Sequence, residues 1–117
     1  MTNNYTQHDN NLYNNLYNNL YNNLSVIGLN HKTSDISLRD KISINKSDIR
    51  NTILKLKENI PNLHECCIIS TCNRTEFIFT SNNNSQCINK IINFILKKVQ
   101  CGLCILLDKI YIHQDAN

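Results

Sequence analysis

Two stretches of this chain repeat apolar residues at helical spacing, and short β-branched runs stand on either side of each. The order of these segments restricts the fold more than any other feature. Ile49, Ile53, Leu56 and Ile60 recur three or four residues apart, as do Ile88, Ile91, Ile92, Ile95 and Val99. Residues so spaced share one face of a helix, because each turn takes about 3.6 residues. Asn45 or Ser47 predicts the start of the first helix, and Pro61 with Asn62 predicts its end near Asn59. Ser85 is the cap expected for the second. "SVIGLN" (25–30), "ECCIIS" (65–70), "EFIFT" (76–80) and a last stretch within "LLDKIYIH" (106–113) read as strands. "HKTSDISLRDKIS" (31–43) reads as an irregular polar connection. The sequence therefore predicts an α+β fold, the ferredoxin-like split βαβ with order β-α-β-β-α-β. Its antiparallel sheet should carry helices on one face. That architecture serves many functions, so the function must be read from side chains.

Residues 10–24 read "NNLYNNLYNNLYNNL", a perfect four-residue repeat. As a strand it would place Leu and Tyr on opposite faces and leave neither face apolar. As a helix its apolar stripe would drift, and Asn, half of each unit, is a poor helix former. Residues 1–24 are accordingly expected to be a disordered low-complexity tail, and 25–117 the folded domain.

At 117 residues the chain is one domain or part of one. Its net charge is +3, too small to argue for nucleic acid without clustering. Six cysteines raise the question of compartment. The first 31 residues hold no Lys or Arg and no continuous apolar stretch, which excludes a signal or transit peptide there. No apolar run approaches the ~18 residues of a membrane span. A cytoplasmic protein with reduced thiols, not bound to membrane, is expected.

Several motifs invite chemistry. "CGLC" (101–104) has the spacing of a redox pair or half a zinc site. It follows the second helix, with Gly102 read as that helix's C-cap, so the thiols are expected to be structural. The adjacent Cys66 and Cys67 should point to opposite sheet faces and cannot complete a zinc site. His8, His31, His64 and His113 show no helical pairing for a metal. "NHKT" (30–33) ends the first strand, where loops commonly carry ligand-facing groups. The most pointed feature is "IISTCNRTEF" (68–77), which ends an apolar run on Ser-Thr-Cys-Asn-Arg without Gly or Pro. The polar residues flanking Cys72 are read as unnecessary for reversing the chain. Arg74 could favour the Cys72 thiolate or grip a carboxylate with two hydrogen bonds, while Thr71 and Asn73 add short-range donors. On chemistry alone, a buried structural cysteine and a nucleophile both remain open.

"VIGLNHKTSDISLRD" followed by "CCIISTCNRTEFIF" closely resembles the N-terminal domain of glutamyl-tRNA reductase, and "YIHQDAN" is similar to the segment that follows it. The likeness covers residues 26–117. It implies a homodimeric enzyme that reduces glutamyl-tRNA with NADPH to glutamate-1-semialdehyde, for tetrapyrrole synthesis. It further implies that Cys72 is the nucleophile forming a glutamyl thioester. Thr71, Asn73 and Arg74 would bind substrate, with Arg74 on the glutamate carboxylate. Two isolated glycines cannot form the G-x-G-x-x-G turn of a nicotinamide domain. NADPH is therefore expected to bind through a domain this chain lacks, and the chain to be an incomplete piece that is not a competent reductase alone. The alternatives are an inactive remnant or a ferredoxin-like RNA-binding module, which would want aromatic residues on the open sheet face; Phe77 and Phe79 share one face of their strand, but no glycine-aromatic RNA-binding signature accompanies them.

Overall fold

A computed structural model describes residues 24–114. The expected disorder of residues 1–23 lies outside the described residues. Leu24, the last residue of the repeat, is already in the first strand. The elements run β1 (Leu24–Asn30), α1 (Ile36–Ile42), a 3-10 turn (Lys46–Asp48), α2 (Ile49–Asn59), β2 (Leu63–Ser70), β3 (Arg74–Ser81), α3 (Asn84–Val99), α4 (Leu103–Lys109) and β4 (Tyr111–Gln114). The strands form one sheet in the order β2-β3-β1-β4, and every neighbouring pair is antiparallel. This is the expected α+β architecture.

The register fixes which side chains face the helices. Ile27, Leu29, Phe77, Phe79 and Ile68 lie on the same side of the sheet and are buried. Against them pack Leu56 and Ile60 with α2, and Ile91, Ile95 and Val99 of α3. Phe77 meets Phe94 edge to face, with ring centroids 6.1 Å apart and planes at 76°. Phe77 and Phe79 are thus core residues, 0% and 1% exposed, and present no stacking surface for bases. The RNA-binding alternative loses its principal feature.

Four expectations need correction. The connection at 31–43 contains α1, whose N-cap Asp35 accepts a hydrogen bond from the Leu38 N–H. Residues 103–109 form a helix that was not expected, α4, which turns Leu106 into the core; the expected last strand lies in the second half of "LLDKIYIH", beginning at Tyr111. Gly102 does not end α3. Gln100 does so in the left-handed conformation (φ 55°, ψ 42°), while Gly102 precedes α4 as its N-cap. The start of α3 also lies two residues before the expected cap, since Asn83 accepts from the Gln86 N–H. Among the described residues no helix is long and apolar enough to cross a membrane.

Candidate functional site

Between β2 and β3 only Thr71, Cys72 and Asn73 turn the chain, fewer residues than the sequence reading allowed. Thr71 makes this possible without glycine. Its backbone N–H donates to the Arg74 carbonyl at 2.8 Å, and its hydroxyl accepts from the Asn73 and Arg74 N–H groups, each at 3.2 Å. A side-chain oxygen that satisfies two backbone donors does what a tight-turn glycine would otherwise permit. One of the polar side chains around Cys72, that of Thr71, therefore does hold the reversal, contrary to the expectation from sequence. The strand ends are pinned as well. Ser70 Oγ accepts from the Ile44 N–H at 2.9 Å and bonds Thr75 Oγ1 at 3.0 Å.

Cys72 projects from this turn and is exposed. Its carbonyl accepts from Arg39 Nε at 3.2 Å, and the same guanidinium donates from Nη1 to the Ser34 carbonyl at 2.6 Å. Arg39 thereby ties the turn to the loop that follows β1. Sequence reasoning missed this contact because it joins residues 33 apart through a helix that was not expected. The only available signal was the Asp35 cap preceding "ISLR".

The loop after β1 is stiffened by its own side chains. Asn30 Oδ1 accepts from the Lys32 and Thr33 N–H groups, Thr33 Oγ1 accepts from the Asn30 N–H, and Ser34 Oγ donates to the Asn30 carbonyl. "NHKT" is thus a self-bonded turn that leaves His31 and Lys32 exposed. These two residues, with Asn30, Thr71, Asn73 and Arg74, line a cleft of about 370 Å³. Arg74 and Lys32 give it positive charge, and Glu76, 3.7 Å from Arg74, is the neighbouring anion. Such a cleft suits a small carboxylate ligand. Three of the four expected site residues, Thr71, Asn73 and Arg74, line it. Cys72, between them on the same turn, is exposed but is not part of the lining.

Two of the other thiols are held away from solvent by packing. Cys66 faces the helices, and burial, then the neighbouring Cys67, push its thiol up to about 11. Cys87 is buried in the core, and burial raises its thiol too. Cys104 lies in the first turn of α4, but no strand precedes that helix as in a redox C-x-x-C site. Among the described residues no group of three or more metal-binding side chains exists. A limiting iodoacetamide reaction at pH 8, mapped by mass spectrometry, should modify exposed Cys67, Cys72 and Cys104 and leave Cys66 and Cys87 intact. With its thiol near 11, Cys66 holds only about one thiolate per thousand at that pH. Its labelling should grow as pH rises toward 11, and early labelling at pH 8 would contradict the packing.

The described site stands beside a consistent set of relatives. Residues 27–117 match the family model described as glutamyl-tRNAGlu reductase, N-terminal domain. A glutamyl-tRNA reductase of Gloeothece citriformis is 35% identical over 95 residues, covering 80% of this chain and 22% of the relative. One from Cyanophora paradoxa is 37% identical over 93 residues, 78% of this chain and 21% of the relative. One from Picosynechococcus is 34% identical over 93 residues, with 78% and 22% covered. The chain spans about a fifth of the length of these curated relatives.

Proposed function

The chain belongs to the glutamyl-tRNA reductase family, matching its N-terminal domain, and from that premise we propose that it carries the glutamate-accepting site, with Cys72 as nucleophile. The observation that supports this most is an exposed thiol on a rigid three-residue turn, beside a cationic cleft that Arg74 lines. The family reaction, as the resemblance gives it, is reduction of glutamyl-tRNA to glutamate-1-semialdehyde with NADPH.

The acyl-transfer step needs only groups of this chain and the substrate. The Cys72 thiolate attacks the carbonyl carbon of the aminoacyl ester. A carbon–sulfur bond forms and the ester carbon–oxygen bond to the terminal ribose breaks. The ribose oxygen keeps the electron pair and takes a proton from water, leaving a glutamyl thioester and free tRNA. Arg74 holds the side-chain carboxylate of the glutamate through two parallel hydrogen bonds, and the Asn73 amide adds a donor at the cleft wall. Thr71 acts on the turn itself, keeping Cys72 and Arg74 at fixed separation. Lys32 and Arg39 add positive charge facing a polyanionic substrate.

The hydride that completes the family reaction comes from NADPH, whose pyrophosphate is held by a glycine-rich turn between a strand and a helix. The described residues do not fit it. Gly28 lies inside β1 with Glu76 and Tyr111 against it, and Gly102 leads into a seven-residue helix with no strand before it. The part assigned to this chain is binding and acyl transfer. The test is transfer of labelled glutamate from glutamyl-tRNA to the chain. A hydroxylamine-labile adduct at Cys72 is expected, and its absence, or labelling elsewhere, would sink the reading.

A further inference from the structure

The open face of the sheet carries a row of side chains that acyl transfer does not use. Tyr111 of β4, Gly28 of β1 and Glu76 of β3 stand opposite one another across three strands. Tyr111 reaches over Gly28, and its hydroxyl donates to Glu76 Oε2 at 2.5 Å. Glycine is what leaves room for this: a Cβ at position 28 would lie 2.8 Å from Glu76 Cγ and 2.9 Å from Tyr111 Oη. Burial, and next the Glu76 carboxylate, push the Tyr111 phenol above its ordinary value, so the proton stays on the tyrosine.

Two residues earlier on β3, and on the same face, stands Arg74. Its Nε lies 3.7 Å from Glu76 Oε1, the oxygen not taken by Tyr111. That is longer than the roughly 2.7–2.9 Å of a closed guanidinium–carboxylate hydrogen bond. The Arg74 side chain is 51% exposed and that of Glu76 18%, so the carboxylate sits beneath the guanidinium and the guanidinium faces solvent.

We propose that Tyr111 is a positioning residue for Arg74. By holding one Glu76 oxygen, it keeps the carboxylate near enough to orient the guanidinium and too far to occupy it. The terminal nitrogens of Arg74 then stay available to a ligand carboxylate. Without the hydroxyl, Glu76 can rotate onto Arg74 and close a two-pronged pair, an internal competitor for the ligand. The assignment rests on the reading of Arg74 as the holder of the substrate carboxylate.

Two alkylating agents test it without tRNA. Iodoacetate carries a carboxylate and iodoacetamide does not, so their rate ratio at Cys72 reports how well a nearby guanidinium attracts a carboxylate. The ratio is expected to fall about threefold in Tyr111→Phe, the scale of one exposed ion pair. Gly28→Ala, whose Cβ displaces the tyrosine, should lower it in the same direction. Tyr111→Phe combined with Glu76→Gln leaves no carboxylate to close on Arg74, and the ratio should return to the wild-type value or above. Arg74→Gln should set the floor. An unchanged ratio in Tyr111→Phe overturns the proposal. So does a double variant that stays low, because the loss would then come from general disorder, and so does an Arg74→Gln ratio equal to wild type. If the ratios follow the expected pattern while glutamyl-tRNA fails to acylate Cys72, the positioning role stands and the acyl-transfer reading falls.

Discussion

Cys72→Ser is expected to take up no hydroxylamine-labile glutamate from glutamyl-tRNA, while the wild-type chain does. The serine hydroxyl fits the same exposed place on the turn, and the contact from Arg39 goes to the backbone carbonyl, which the substitution keeps. The fold should therefore be unchanged. The chemistry is not: a thiol ionises far more readily than an alcohol, and sulfur is the stronger nucleophile. Arg74→Lys separates binding from reaction. Lysine keeps the charge but loses the planar fork, and a lost hydrogen bond to a charged group weakens capture by about tenfold or more. Acylation at low substrate should drop accordingly and recover partly at high substrate. Acid-quenched samples, digested and sequenced by mass spectrometry, would decide. Cys72→Ser accepting glutamate at the wild-type rate would remove Cys72 from the mechanism.

Phe77→Ala should cost about 3–5 kcal/mol of folding stability, the usual range for a large aromatic truncated in a core. Phe77 is fully buried on β3, with Ile27 and Ile68 beside it on the flanking strands and the Phe94 ring edge-on above. Small domains have about 5–15 kcal/mol in total, so this one change removes a large share. Urea unfolding followed by circular dichroism would show the midpoint shift. A loss below about 1 kcal/mol would mean that the sheet and α3 do not pack as described.

Local features that announce themselves within a few residues were legible in the sequence. The α3 stripe runs for about three turns, and all five of its expected apolar residues are buried. The α1 segment offers only seven residues and one buried side chain, Ile42, so no periodicity could build. "LCILLDK" is a short apolar run that fits either a strand or a helix, and packing of Leu106 decides between them. The site divides in the same way. Thr71, Cys72, Asn73 and Arg74 are contiguous, and their joint occurrence is distinctive. Arg39 bonds Cys72 on that turn from 33 residues away, and Tyr111 bonds Glu76 on the following strand from 35 residues away. Both contacts depend on register and on a helix placement that no short window contains.

The sheet order also sets a schedule. β1 is the first described strand, and its second partner, β4, is the last. A chain emerging from the ribosome can pair β1, β2 and β3 and form the Cys72 turn while β4 is still being made. Until Tyr111 arrives and lies over Gly28, nothing in that row restrains Glu76. The guanidinium would spend that interval closed upon its own neighbour, and the nascent domain would be folded before it could receive a ligand.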